Sequence, residues 1–492
     1  MTSVPRSILL SAVERYGSLL LFFVATAVLS RLLSPTEYGT YAVVNALITV
    51  IMTSFQEFGG ATYLIQKHEL GRSNIRSAFT VVFGISAPVG LLLYLSAGAL
   101  SRFFVQDSLT HAIEVSALNF LILPVSGTIL ALFRRDMEFG KITISNLVAN
   151  LAGSLTSIGL AMAHFSYMAP VWGVVVGNAV LTIMLLKWYR DWSVFRPSLV
   201  ECRDVIGFGL YSGGVSIINV FYNLAPQLFL ARILDFTSVG LYSRATSLTA
   251  MFDRLVTQVL SPVIMPAFAA QRKAGLDLRA VYLESVQLLS AVQWPFLIFV
   301  ALMAQPIILI WLGPNWLEVV PLVRILCIAN LALFAACLSY PVFVAVGRVR
   351  DALVSSFISL PPSLLVVFCA AFIGVEAVAA AALLTLPFQT AVAMYFVGRR
   401  LDFGLSDLAH ALFKSAVVTV VAAGGTALCA ALIEMGVVKP LVGLLAAPCV
   451  AALCWWLGLV MTKHPLLRQL QHAAGGVAGI IGPRLPLRRS VL

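Results

Sequence analysis

Residues 31–43 read RLLSPTEYGTYAV, and residues 232–244 read RILDFTSVGLYSR. Aligned without a gap, Arg31 falls on Arg232, Leu33 on Leu234, Thr36 on Thr237, Gly39 on Gly240 and Tyr41 on Tyr242. Each stretch lies in a short break between two long apolar runs, the first pair of a group of six. The match is therefore one of place as well as of letters, the mark of an internal repeat. Six helices separate the copies. Because six is even, the two halves point the same way across a membrane, as parallel repeats related by an axis along the membrane normal, a plan that places a substrate between the halves.

Outward from the repeat, the whole chain is apolar. Of 492 residues, 60% are hydrophobic and 11% charged, with a mean hydropathy of +0.97. A soluble domain needs more polar surface than that, so the fold class is all-α and polytopic, with about 14 transmembrane helices. The runs are 8–31, 39–62, 78–100, 113–133, 142–163 and 169–187, then 207–231, 240–264, 283–305, 319–345, 353–373 and 377–397, with a last pair at 410–433 and 440–461. This predicts a six-helix lobe over 1–198, a second over 199–400 that repeats it, helices 13 and 14 over 401–462, and a basic tail over 463–492. Arg6 ahead of an apolar run and Ala25-Thr26-Ala27 imitate a secretory signal, but Glu14 and Arg15 interrupt the run. The segment is read as a retained first helix. An apolar patch in the tail, 473–482, is too short to cross.

The net charge of +11 would suggest nucleic acid in a soluble protein. Here the charges sit in loops beside spans, so no nucleic-acid partner is expected. With the N-terminus inside, about 23 Lys and Arg fall in cytoplasmic segments and about four (Arg31, Arg102, Arg232 and Lys439) outside, as the positive-inside rule requires. Both termini are expected to be cytoplasmic. Cys202 falls in a basic loop and the other six cysteines inside apolar runs, so none is placed for an extracytoplasmic disulfide.

The first helix, the R-L-L-S-P-x-E-Y-G-x-Y turn and the further spans resemble the polysaccharide transporter family, the Wzx-type flippases of lipid-linked oligosaccharides, within the multidrug/oligosaccharidyl-lipid/polysaccharide superfamily. The second copy, beginning GLYSRATSLTAMFDRL at 240, resembles members that export exopolysaccharide or colanic-acid-like units. The resemblance implies a bacterial inner-membrane flippase for undecaprenyl-diphosphate-linked repeat units, working by alternating access between two lobes. It implies lipid-linked oligosaccharide and membrane lipid as partners, together with a polysaccharide polymerase and export machinery. A coupling ion, H+ or Na+, is allowed. No cofactor is expected.

Polar residues inside spans give the candidate site. Ser212, Ser216, Asn219, Asn223 and Gln227 share one face of the seventh span, and unsatisfied amides in hydrocarbon cost several kcal/mol each. Interhelical hydrogen bonding and a wet cavity both answer that cost. The repeat offset carries this face onto Ser11, Arg15, Ser18, Phe22 and Thr26 of the first span. Intramembrane charges are Glu14, Arg15, Glu57, Asp253 and Arg254, with Arg244, Arg324 and Lys414 nearer the ends; Arg244 and Lys414 lie close enough to an interface to snorkel. For the cargo that the resemblance implies, Arg15, Arg254, Arg244 and Arg324 are the candidates to hold the diphosphate, since guanidinium grips phosphate oxygens bidentately. The Ser212 to Gln227 stripe would meet the glycan hydroxyls. Glu57, Asp253 and Glu14 are the candidates for ion coupling. Prolines 88, 124, 226, 295, 341, 361, 362, 387 and 448 fall inside spans, where each removes a backbone donor.

No G-x-x-x-x-G-K-[ST] loop or D-x-D pair is present, and the six histidines are scattered. An enzyme is not expected and no metal site is assigned. Two rivals stand: a cation-coupled multidrug exporter of the same superfamily, and a membrane glycan polymerase or ligase, against which the short outer loops argue.

Overall fold

The computed structural model describes residues 4–56, 61–67, 70–257, 264, 268, 271–272 and 277–471. In hydrocarbon a backbone must satisfy its polar groups without water, as helices and closed barrels do. The described residues are overwhelmingly helical, with no strand among them. In chain order the helices are α1 (Val4–Leu32), α2 (Pro35–Gln56), α3 (Ala61–Gln66), α4 (Arg72–Phe104), α5 (Leu109–Ala117), α6 (Asn119–Arg135), α7 (Phe139–Met162), α8 (Met168–Trp188), α9 (Cys202–Ile233) and α10 (Phe236–Thr249). They continue as α11 (Leu278–Leu302), α12 (Ala304–Trp311), α13 (Val319–Asn330), α14 (Ala336–Val346), α15 (Val349–Ala371), α16 (Val375–Leu401), α17 (Leu405–Glu434) and α18 (Pro440–Met461). Eleven helical stretches among the described residues are long and apolar enough to cross a membrane; α2, α9 and α10 occupy the other stretches read as spans.

Two expected spans are broken. Residues 109–135 divide at Leu118 into α5 and α6, and 319–346 divide at a 3-10 turn, Leu331–Leu333, into α13 and α14. The indole of Trp294 donates to the freed Leu331 carbonyl at 2.8 Å. All nine intramembrane prolines sit inside helices.

The chain gathers into two compact units. The first holds the residues up to Thr246 with Ile308–Leu322 and Leu360–Ala381; the second holds Ser247–Ile307, Val323–Ser359 and the residues from Ala382 on. In the first, α7 lies along α1 and α8, α6 packs on α8, and α2 packs on α9. The α7–α8 approach is tight because glycines meet there: a Cβ at Gly153 would lie 2.8 Å from the Gly173 carbonyl oxygen, the small-residue contact usual where helices associate in lipid. In the second, α17 packs between α11 and α18, over a core around Tyr282, Phe343 and Val397.

Candidate functional site

The two copies of the repeat meet. In each, a helix breaks at the same repeat position: α1 ends at Leu32 and α2 starts at Pro35, while α9 ends at Ile233 and α10 starts at Phe236. The sequence dictates both restarts. Ser34-Pro35-Thr36-Glu37 forms a capping box, with Glu37 accepting from the Ser34 N–H at 2.7 Å and the Ser34 hydroxyl at 2.9 Å, and Pro35 sits where a missing N–H costs nothing. Asp235 does the same for α10, accepting from the Ser238 N–H at 2.7 Å.

These two helix starts pack against each other by equivalent atoms. The Thr36 and Thr237 hydroxyls are 2.7 Å apart. A Cβ at Gly39 would fall 1.7 Å from the Phe236 carbonyl oxygen, and one at Gly240 would fall 2.1 Å from the Pro35 carbonyl oxygen. Gly39 maps on Gly240 and Pro35 on Phe236 under the offset that relates the repeats, so the contact is locally two-fold symmetric. Only glycine lets the backbones come this close.

Behind this contact stands Arg244, one turn beyond Gly240. It is 3% exposed. Its guanidinium lies 3.6 Å from the centre of the Tyr38 ring and 5.3 Å from that of Trp316, a desolvated cation–π arrangement, and its Nε–H is buried without an acceptor. The expectation that it snorkels to an interface is therefore overturned: aromatic faces shelter the charge inside the protein. Trp316 is itself held by its indole donating to the Ser30 carbonyl at 2.6 Å. Trp311 donates to the Phe23 carbonyl at 3.0 Å and Arg31 to the Ile310 carbonyl at 2.7 Å.

Arg244 lines a cavity of about 490 Å3 walled by α1 from Ser18 to Leu33 and by residues of α7 and α8. The other polar walls are Ser18 and Thr26 of α1, Asn146, Asn150, Ser154 and Ser157 of α7, and Asn178 of α8. Asn150 donates to the Ser18 hydroxyl at 2.9 Å, Asn146 to the Glu14 carboxylate, and Asn178 to the Asn119 side-chain oxygen at 2.8 Å. Among the described lining residues Arg244 is the one ionised side chain. Such a wall of neutral donors and acceptors around one guanidinium suits a polyhydroxylated molecule bearing negative charge.

Of the four arginines expected to line a cavity, Arg244 does so here. Arg15 is partly buried on α1, Arg254 lies on a π-helical turn, Asp253–Thr257, and Arg324 is exposed on α13; the last two belong to the second unit. On α9, Asn223 is exposed and Gln227 partly buried, and neither lines the cavity. The side chains of Ser212, Ser216 and Asn219, and Glu57 as a whole, lie outside the described residues. Glu14 is partly buried beside Asn146, and Asp253 is exposed. From the first-span face, Ser18, Phe22 and Thr26 do line the cavity. Sequence reasoning passed over Asn146, Asn150, Ser154, Ser157 and Asn178, although 146, 150, 154 and 157 carry the same helical spacing as the α9 stripe.

A family described as polysaccharide biosynthesis protein matches residues 28–321, a stretch that includes both copies of the repeat. The chain belongs to this family. Lipopolysaccharide biosynthesis protein WzxC of Escherichia coli K12 is 24% identical over 314 residues, 63% of each chain, so the present chain spans somewhat under two thirds of that relative. Succinoglycan biosynthesis transport protein ExoT of Rhizobium meliloti is 22% identical over 355 residues, 70% of each. Among solved structures, lipid II flippase MurJ in an inward closed conformation superposes with a TM-score of 0.76 at 10% identity, over 94% of this chain and 100% of that one. An inward-facing MATE multidrug transporter of the MOP superfamily gives 0.60 at 13% identity, over 78% and 94%. These likenesses establish the fold of this family member as a polytopic helical membrane protein of that kind.

Proposed function

We propose that this chain is a flippase that carries undecaprenyl-diphosphate-linked oligosaccharide from the cytoplasmic to the outer leaflet for polysaccharide export. The observation that carries the reading is the amide- and hydroxyl-walled cavity with one sheltered guanidinium, ending at a contact built from the two repeat copies. The names of the relatives, a lipopolysaccharide biosynthesis protein and a succinoglycan transport protein, point the same way. Among the described lining residues there is no carboxylate to meet a hydrophobic cationic drug, which favours the glycan cargo over the drug-exporter reading.

In this reading the protein crosses the inner membrane fourteen times with both termini cytoplasmic, and the lobes 1–198 and 199–400 alternate access. The Pro35/Phe236 contact is the outer gate in its closed state. Arg15 takes the diphosphate toward the cytoplasmic end of α1, while Asn146, Asn150 and Asn178 take sugar hydroxyls. Glu14, held by Asn146, and Asp253 are the groups available for ion coupling. The chemistry is translocation, with no bond made or broken. In a strain lacking the gene, mass analysis should find completed lipid-linked oligosaccharide accumulating on the cytoplasmic leaflet. The same material found already on the outer leaflet would overturn the proposal and assign a later polymerase or ligase step instead.

A further inference from the structure

We infer that the groove where α16 turns into α17 is a receptor for one phosphatidylethanolamine of the adjoining leaflet, with Arg399 taking its phosphate and Asp402 its ammonium. The inference does not depend on the cargo.

The groove holds about 710 Å3, within the span of roughly 300–1,000 Å3 usual for sites that take a small molecule. Its walls are largely apolar: Phe334 beyond the 3-10 turn, Pro387, Met394 and Tyr395 along α16, and Leu405 and Leu408 at the start of α17. From Pro387 to Arg399 is twelve residues of helix, roughly 18 Å at 1.5 Å per residue. That is close to the depth of one leaflet, half of a hydrocarbon core about 30 Å thick. Acyl chain is the material that surrounds such a slot in a membrane, and every phospholipid can supply it.

The polar end selects the lipid. Charges crowd around the turn between the two helices, and most of them satisfy each other. Arg400 donates to Asp351 at 2.6 Å and Arg279 to Asp407 at 2.9 Å, while Asp407 also accepts from the Gly404 N–H at 2.9 Å. Arg399 and Asp402, which both line the groove, are left over: both are exposed, and neither has an ion-pair partner within 4 Å among the described residues. The turn presets their spacing. Asp402 has a left-handed backbone (φ 58°), the Phe403 N–H closes onto the Gly398 carbonyl at 3.1 Å, and the Phe403 ring stacks on Tyr282 with centres 5.5 Å apart. A phosphodiester joined by two carbons to a primary ammonium carries the complementary pair of charges in one molecule. Guanidinium grips phosphate oxygens bidentately, and an ammonium brings three N–H donors to a carboxylate. Phosphatidylglycerol would leave Asp402 facing like charge, and phosphatidylcholine has no N–H to give it, so the wrong headgroups are rejected by what they lack. Tyr395, four residues before Arg399 on the same face of α16 and exposed, sets its phenol at headgroup level, where such rings sit at membrane interfaces.

The test offers full-length protein, purified in detergent, equal amounts of dioleoyl phosphatidylethanolamine, phosphatidylcholine and phosphatidylglycerol, and identifies the lipid retained by native mass spectrometry. Wild-type protein should keep one phosphatidylethanolamine in roughly tenfold preference to either of the others, the factor of a single charge-assisted hydrogen bond. Asp402→Asn should bring the preference over phosphatidylcholine close to one, and Arg399→Gln should weaken retention of all three. Equal retention by wild-type protein, a preference for phosphatidylglycerol, or a preference unchanged in Asp402→Asn overturns the inference. A second measurement needs no variant: the amine of the lipid is methylated stepwise and each product is offered to wild-type protein. The monomethyl and dimethyl headgroups keep an N–H and should be retained, whereas the trimethyl headgroup should be lost. An even decline with each methyl, or no decline, would give the groove to bulk lipid and end the proposal.

Discussion

Gly39 and Gly240 show why a residue repeated in sequence can be required twice. Each faces the carbonyl of the residue that opens the other helix, and neither backbone can yield without unseating its cap. Alanine at either position should cost the closed contact about 1–3 kcal/mol, the usual range for overpacking. That shift is readable as a population. In a background freed of native cysteines, Thr36→Cys with Thr237→Cys should form a disulfide on mild oxidation, arrest transport and release it on reduction. Adding Gly39→Ala or Gly240→Ala should slow crosslinking by about fivefold to hundredfold, and by similar factors, because the two contacts are equivalent. Other residues were less legible. Arg31 and Arg232 are identical in the alignment, yet Arg31 donates to the Ile310 carbonyl while Arg232 lies over the Phe103 ring, 5.3 Å from its centre. A repeat transmits backbone geometry; the partners of a long side chain come from whatever else packs nearby. The rings that shelter Arg244 could not be read for the same reason, since Tyr38 and Trp316 are distant from it in sequence.

Elements were legible where hydropathy alone decides them. The last span, 440–461, coincides with α18, and most of the others agree to within a few residues because the lipid boundary ends an apolar run as well as a helix. Helix α12 was not legible: its eight residues, six of them in a supposed loop, have too little length to announce themselves, and their role, presenting Trp311 and the Ile310 carbonyl to α1, is tertiary. The segment leading into α9 was likewise read only as a basic loop. It is strapped to the first unit, with Arg76 donating to the Ser193 carbonyl at 2.9 Å, the Ser198 N–H to Thr80 at 2.9 Å, and Lys67 bridging Glu201 at 2.6 Å. The Lys67 ammonium holds the Glu201 carboxyl below its usual range, so this link is present at neutral pH and fades as acid protonates it. Because the pair is partly exposed, Glu201→Gln should lower stability by about 1 kcal/mol or less, while chymotryptic cleavage after the exposed Leu199 should become faster. A larger pH effect is expected at the end of α18. His464 is 1% exposed and lies 3.3 Å from the Ser415 hydroxyl; burial, aided by Lys414, pushes it down from 6.5 to about 4. The unfolded chain therefore binds the proton first. The contribution is complete above pH 6.5 and is lost as pH falls toward 4, a slope that sums to about 3 kcal/mol. Melting curves of wild type and His464→Gln between pH 4 and 7 should converge at the acid end, and parallel curves would remove His464 as the cause.

At the scale of the whole molecule, hydrocarbon admits only helices and closed barrels, and apolar runs of about 20 residues fit the helix. The grouping of segments was not readable: Ile308–Leu322 and Leu360–Ala381, from the second repeat, pack in the first unit, and packing partners depend on conformation as much as on descent. What the molecule as a whole must supply is a direction. In the proposed flippase, the work of moving an anion outward comes from the membrane potential or from ion exchange. The two drives are separable. One charge carried through the full field gains about 2.3 kcal/mol per 100 mV, a factor of roughly fifty. If the cargo crosses as an anion, imposing an inside-negative potassium diffusion potential on proteoliposomes should accelerate outward flipping without any pH gradient. A lipid-linked probe ending in glucuronic acid should then show a steeper dependence on voltage than one ending in glucose by the equivalent of one charge. Ion exchange at Glu14 gives the opposite pattern: flipping that follows an imposed pH or sodium gradient at zero potential, equal steepness for the two probes, and loss of that dependence in Glu14→Gln.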